Sequence, residues 1–177
     1  MQIKVADYLI KRLSLLGIGD FFGLPGDFNF NILYAINNAE NTNWVNCTNE
    51  LNAGYAADGY ARVNGFGAVV TTYGVGELSS VNAIAGSFAE NVPVIKIAGV
   101  PKTKMIEENV LLHHNFQKPD YYAYERVFSN IVETIAFLDK NNAKDEIDRI
   151  IEVMVKTRRP VYLALPVDVC ELLTEIS

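Results

Sequence analysis

Two stretches of this chain, Ala68-Val69-Val70-Thr71-Thr72 and Val92-Pro93-Val94-Ile95-Lys96-Ile97-Ala98, are largely apolar and rich in β-branched residues. A strand with one face in water alternates apolar and polar side chains, whereas an unbroken apolar run belongs to a strand covered on both faces. That requirement points to a parallel sheet buried between two layers of helices. A shorter run, Val161 to Leu165, has the same character.

The segments between the runs supply the helices. Ala6, Leu9, Ile10, Leu13 and Leu16 recur at helical spacing, and Gly17 with Gly19 stops that helix. Phe21 to Leu24 reads as the first strand, Pro25-Gly26-Asp27 as a turn, and Leu33, Ile36 and Ala39 as a second helix. A strand over Asn43 to Thr48 leads into a helix over Asn49 to Arg62, whose small residues Ala53, Gly54, Ala56, Ala57 and Ala61 allow a close approach to a partner. A helix is expected over Leu78 to Ala89, a loop over Pro101 to Asp120 and a strand around Arg126 to Val132. Ile147, Ile150, Ile151, Met154 and Val155 mark a further helix. The alternation predicts a three-layer α/β/α domain with a parallel sheet of about six strands and right-handed crossovers.

A length of 177 residues suits one domain, so residues 1–177 are read as a single unit without linker or internal repeat. Net charge of -6 opposes a polyanion-binding surface, which excludes nucleic acid as an expected partner. Cys47 and Cys170 stand far apart and follow no metal-ligand spacing, which fits reduced thiols in a cytoplasmic protein. Lys4, Asp7, Lys11 and Arg12 interrupt the apolar residues of the first segment, so no signal peptide is expected there. Nowhere do about 18 apolar residues run together, and no membrane span is expected.

Four residues carry candidate chemistry. Glu50 stands where a strand gives way to a helix, at the edge of a parallel sheet where open α/β folds collect ligands. From the residues alone, a helix-capping role and a chemical role both stand. His113 and His114 are the only histidines, adjacent on an expected loop; an imidazole ordinarily titrates at about 6.5 and suits proton transfer, although exposed loop histidines often do nothing. Asp27 reads first as a turn former. Gly74-Val75-Gly76-Glu77-Leu78-Ser79 departs from a dinucleotide fingerprint, because Ser79 replaces the third glycine and Lys96 falls where the ribose-binding acid belongs.

Taken together, these segments resemble the pyrimidine-binding (PYR) domain of thiamin diphosphate-dependent 2-oxo acid decarboxylases, the pyruvate and indolepyruvate decarboxylase family. The resemblance rests on Gly23-Leu24-Pro25-Gly26-Asp27-Phe28-Asn29, the Asn49 to Arg62 segment, Thr71 to Ser79, Ala85 to Asn91 with Pro93, Leu111-Leu112-His113-His114 and Arg159 to Pro166. It implies that Glu50 hydrogen-bonds the cofactor's pyrimidine ring and shares a proton with it. Asp27, His113 and His114 would then relay protons and handle the substrate carboxylate. Pro25, Gly26, Thr72 and Gly74, with Glu50, would line the cofactor, Gly74 in a tight turn that lets backbone approach the aminopyrimidine. The chain departs from the family's pattern at Asn115 to Tyr121, where a Thr and a Gly-containing turn commonly follow the histidine pair.

The family holds the diphosphate through Mg²⁺ on a Gly-Asp-Gly motif of a separate domain, and this chain contains neither that motif nor a Gly-Lys-Ser/Thr loop. No metal ligand is therefore expected within it. The resemblance makes the chain half of a site, completed by the pyrophosphate-binding domain of a second protomer in a homodimer or homotetramer. Its end after Pro166 falls where the family's first domain hands over to a linker, and its family-like N-terminus favours an N-terminal fragment over a separate subunit. A carboligase of the acetolactate synthase type and a non-catalytic assembly domain are the rival readings.

Overall fold

The computed structural model describes residues 2–175. Strand β1 (Gln2–Lys4) runs into helix α1 (Val5–Ser14), followed by β2 (Asp20–Gly23), α2 (Phe30–Asn38), β3 (Asn43–Asn46) and α3 (Glu50–Asn64). The middle comprises β4 (Gly67–Thr72), α4 (Val75–Ser79), α5 (Val81–Ala89), β5 (Val94–Val100), α6 (Thr103–Glu107) and α7 (Ala123–Phe128). The chain continues through β6 (Ile135–Phe137), α8 (Ala143–Thr157), β7 (Val161–Pro166), α9 (Val167–Cys170) and β8 (Leu173–Glu175). Six strands form a parallel sheet in the order β3-β2-β4-β5-β7-β6. This is the expected three-layer α/β architecture.

Why the central strands read as continuous apolar runs is plain from their two faces. Ala68 and Val70, Ile95 and Ile97, and Val161, Leu163 and Leu165 pack into one core with α1, α2 and α8. The alternate residues Val69, Val94, Ala98, Tyr162 and Ala164 pack into a second core with α3, α5 and α7. Period-two alternation thus separates two apolar environments rather than oil from water.

The strand order creates a switch point. From β2 the chain passes through α2 to β3 on one side, then returns through α3 to β4 on the other side of β2. Helix α2 lies on one face of the sheet and α3 and α5 on the other, so the connections leaving β2 and β4 diverge. A crevice opens between the carboxyl ends of those two strands, which is where ligands bind in open α/β sheets.

Three local expectations are corrected. The strand expected around Arg126 to Val132 is helix α7 and a following turn, and the edge strand lies later, at Ile135–Phe137. The deciding pair is Tyr124 and Phe128, buried at helical spacing, with Phe128 stacked on Tyr162 at 5.1 Å. The helix expected over Leu78 to Ala89 is two helices, α4 and α5, broken at Ser80, whose hydroxyl donates to the Glu77 carbonyl at 2.7 Å. The Pro101 to Asp120 loop contains α6, anchored where the Thr103 amide and hydroxyl donate to Asp168 at 3.0 and 2.6 Å. After β7 and α9, strand β8 pairs antiparallel with β1, Gln2 opposite Glu175. Among the described residues no helix is long and apolar enough to cross a membrane.

Small residues bring α3 close to its neighbours. A Cβ added to Gly54 would stand 2.6 Å from the Ala83 Cβ on α5, closer than real contacts permit. Gly54→Val is therefore expected to lower stability by about 1–3 kcal/mol through overpacking, measured by urea unfolding; an unchanged midpoint would refute this account of the α3–α5 contact.

Candidate active site

Glu50 enters the crevice because its neighbour does the capping. Asn49, with extended backbone (φ -160°, ψ 170°), precedes α3, and its side chain accepts the Asn52 amide at 2.8 Å. Glu50 is the first helical residue and is left half-buried with its carboxylate directed elsewhere. It lies against the turn after β4: a Cβ on Gly76 would sit 3.1 Å from the Glu50 Oε1 and 2.8 Å from the Thr72 Cγ2. A side chain at this position would crowd both Thr72 and that carboxylate.

The same turn touches the other predicted residues. A Cβ on Gly26 would stand 2.9 Å from the Thr72 Cβ, so the Pro25-Gly26-Asp27 turn after β2 lies against the end of β4. Asn29 fixes that turn, accepting the Gly26 amide and donating to the Leu24 carbonyl, both at 2.9 Å. Gly74 has φ +74° and ψ -128°, a conformation open to glycine and strained for other residues. A Cβ there would meet the His114 Cβ at 2.8 Å and its carbonyl at 2.9 Å. Gly74 and Gly76, separated by Val75 alone, thus face His114 and Glu50 respectively.

The histidine loop is held from below by tyrosines. The Tyr73 hydroxyl lies within hydrogen-bonding reach of the His113 carbonyl and of the Asn115 Oδ1, and Tyr124 and Tyr121 donate to the carbonyls of His114 (2.6 Å) and Val110 (2.5 Å). His114 adopts φ +72°, stacks on Tyr73 at 6.0 Å and meets His113 edge to face at 4.7 Å. The His113 Nε2 stands 3.5 Å from the Asp27 Oδ2, in reach of an ion pair when protonated. Those two side chains are 53% and 72% exposed, so this side of the crevice is open. The structure therefore brings Asp27, His113 and His114 into one row, beside the turn that meets Glu50.

Behind the turn lies a polar group that sequence reading passed over. Glu77 is buried and accepts the Gly74 amide at 2.8 Å through Oε1 and the Tyr162 hydroxyl at 2.7 Å through Oε2. Lys96 is fully buried in β5, directly paired in register with Val69 and Tyr162, and donates to Thr71 Oγ1 and the Ile97 carbonyl. Burial pushes the Glu77 carboxyl up, opposed by Lys96, Tyr162 and the Gly74 amide. Burial likewise lowers Lys96 from 10.5 to about 8, opposed by the carboxylates of Glu77 and Glu50. One signal was available: a lysine inside a strand covered on both faces requires a partner, because an unpaired buried charge is prohibitive.

Comparison with known proteins gives the family of this chain. Residues 3–124 match the family described as thiamine pyrophosphate enzyme, N-terminal TPP binding domain. The chain is 46% identical over 170 residues to a putative pyruvate decarboxylase of Schizosaccharomyces pombe, covering 94% of this chain and 30% of that protein. It is 45% identical over 172 residues to pyruvate decarboxylase isozyme 2 of Saccharomyces cerevisiae, covering 97% and 31%. Against the pyruvate decarboxylase of Kluyveromyces marxianus the figures are 46% over 172 residues, 97% and 30%. The chain belongs to the thiamine pyrophosphate enzyme family. It spans about a third of the length of these relatives.

The crevice fits one part of that cofactor. Thr72 Oγ1 and His114 Nδ1 are buried without a hydrogen-bond partner among the described residues, and both flank a floor of glycines that added side chains would fill. A flat aminopyrimidine with polar edges suits such a surface. Among the described residues no group of three or more His, Cys, Asp or Glu is disposed to hold a metal. A separate groove of about 470 Å³, lined by Asp7, Lys11, Leu15 and Asn38, lies between α1, α2 and the turn leading into β3 and shares none of these residues.

Two outcomes test this account. Asn49→Ala should cost about 1 kcal/mol by loss of the cap, while Glu50→Gln should change stability by less than about 0.5 kcal/mol; the reverse order in urea titrations would make Glu50 the cap. Lys96 releases its proton at about 8 when folded and near 10.5 when unfolded, so the unfolded chain holds more protons between those values. Its contribution to stability should therefore rise with pH across that window. The unfolding free energy of the native chain relative to Lys96→Met should grow from pH 7.5 to pH 10, and a flat difference would contradict the burial of a charged lysine.

Proposed function

We propose that this chain is the pyrimidine-binding half-site of a non-oxidative thiamin diphosphate-dependent decarboxylase that converts a 2-oxo acid to an aldehyde and carbon dioxide. The carrying observation is the shared turn: its Gly76 abuts the Glu50 carboxylate and its Gly74 abuts His114. Proton exchange with the cofactor's ring and proton delivery near the substrate are thereby held on one rigid piece of backbone.

When bound, thiamin diphosphate supplies the electron sink for cleaving the bond to the carboxylate. Glu50 holds and returns the proton at the pyrimidine ring nitrogen. Thr72, Pro25, Gly26 and Gly74 line the ring and orient it. His113 and His114, with Asp27 beside His113, receive the substrate carboxylate and move protons at the departing product. The diphosphate and its Mg²⁺ belong to a pyrophosphate-binding domain outside these residues, through hard oxygen ligands.

That domain would come from a second protomer, in a homodimer or homotetramer. Leu51 and Tyr55 on α3 and Val75 on α4 are exposed large hydrophobic residues adjoining Glu50 and Gly76 in sequence, which suits a face covered in the assembly. Pyruvate is the first substrate to test, since the relatives named above are pyruvate decarboxylases; indolepyruvate is the second. Half-buried Cys47 and buried Cys170, both free, suit a cytoplasmic enzyme. The histidine pair ranged with Asp27 favours decarboxylation over carboligation of the acetolactate synthase type.

In the complete protein, Glu50→Gln should slow decarboxylation by about 10²–10⁴-fold while leaving the fold intact, since it removes a proton-transferring group but keeps its shape. His114→Ala should preserve exchange of the cofactor's C2 proton and impair later steps. Wild-type C2 exchange in Glu50→Gln, followed by NMR in deuterium oxide, would remove Glu50 from this role. Acetolactate as the main product from pyruvate would select the carboligase reading.

A further inference from the structure

The buried carboxylate of Glu77 has no place in the reaction as drawn, yet it occupies a costly position. Removing a carboxylate from water is strongly unfavourable unless hydrogen bonds and an opposite charge compensate it. Here the compensation comes from three strands. Tyr162 reaches up from β7 to one oxygen, Lys96 in the adjoining β5 supplies the positive charge, and the other oxygen holds the Gly74 amide just beyond β4. Lys96 is itself fixed by Thr71 of β4.

The chain gains placement from this arrangement. Gly74 and Gly76 flank the start of α4, with the His114 backbone against the first and the Glu50 carboxylate against the second. The amide held by Glu77 belongs to Gly74, whose positive φ is the bend that turns the strand toward α4. Movement of that amide displaces both contacts together. A charge-assisted hydrogen bond to a fixed carboxylate is stronger and better aligned than one to a neutral acceptor.

Resting on the decarboxylase reading, we propose that Glu77 is a positioning residue: through its hydrogen bond to the Gly74 amide it sets the β4–α4 turn, and so places Glu50 against the cofactor's pyrimidine and His114 against the substrate. Tyr162 anchors it to the sheet, and the charge of Lys96 on the adjoining strand favours its ionised form. Glu77 touches neither cofactor nor substrate and acts only through the turn.

The experiment uses the complete protein with Glu77→Ala, Glu77→Gln and Tyr162→Phe. Peptide-resolved amide hydrogen exchange, without cofactor, should show faster exchange over residues 73–79 and 112–116 in Glu77→Ala, with near-native protection in Glu77→Gln, whose amide oxygen still accepts from Gly74. With thiamin diphosphate and Mg²⁺ at saturation and well below the melting temperature, C2-proton exchange and kcat should both fall about 10- to 100-fold in Glu77→Ala, as sub-ångström to ångström misplacement of reacting groups predicts. Glu77→Gln should recover most of that loss. Native amide protection and native C2 exchange in a folded Glu77→Ala protein would overturn the proposal, as would a Gln variant no better than Ala. If Glu77→Ala does not fold, Tyr162→Phe decides: slowed C2 exchange supports the clamp and unchanged exchange overturns it. A wild-type protein that folds but does not decarboxylate any 2-oxo acid would sink the functional reading alone, and the cofactor-free amide exchange would still decide whether Glu77 holds the turn.

Discussion

Covering the central sheet on both faces is the constraint from which the rest follows. Strands β4, β5 and β7 have helices above and below, so no face of theirs is available to water or to a ligand. Polar chemistry is displaced to the strand ends, and the carboxyl ends beside the β2/β4 switch point carry the candidate site. Glu50, Gly26, Thr72, Gly74, Gly76 and the histidine loop gather there because the topology leaves no other place for them.

The same constraint explains why the buried charge of Lys96 lies near a buried carboxylate. A lysine in the middle of β5 would destabilise a fully covered strand unless something answered its charge. Lys96 shares a face with Tyr162 and the interior side of the α4 turn, so the answering carboxylate comes from Glu77. The sheet interior and the crevice are thus connected through one carboxylate, which faces strands on one side and the turn amide on the other. Substituting an apolar pair could stabilise such a core. What an apolar pair could not do is accept the Gly74 hydrogen bond.

Much of the architecture was legible in the sequence because burial on two faces leaves an unmistakable run of apolar residues. Where burial is partial, the signal fails. Ile135–Phe137 is a three-residue edge strand, while Val127-Phe128 with Ile131-Val132 looks more strand-like and is yet a helix and turn, since contact with Tyr162 outweighs β propensity. The β1–β8 pair joins segments at opposite ends of the chain and carries no local pattern at all. The position of Glu50 was readable from its strand-to-helix boundary, but its release from capping needed the Asn49 side chain to be seen on the Asn52 amide. Glu77 escaped notice because its partners lie on β5 and β7, and only the strand order brings them together.

The open row formed by Asp27 and His113 contrasts with this buried network. Exposed ion pairs contribute little to stability, and Asp27 and His113 are more than half accessible, so their closeness is not needed to hold the fold. The loop that carries them is secured through backbone carbonyls instead, by the hydroxyls of Tyr73, Tyr121 and Tyr124. Fixing the main chain from below leaves the His113 imidazole open above, while the His114 ring stacks on Tyr73. That division gives Asp27 and His113 a fixed base and an accessible edge, which is what the proposed function asks of a half-site whose remaining wall would come from another domain.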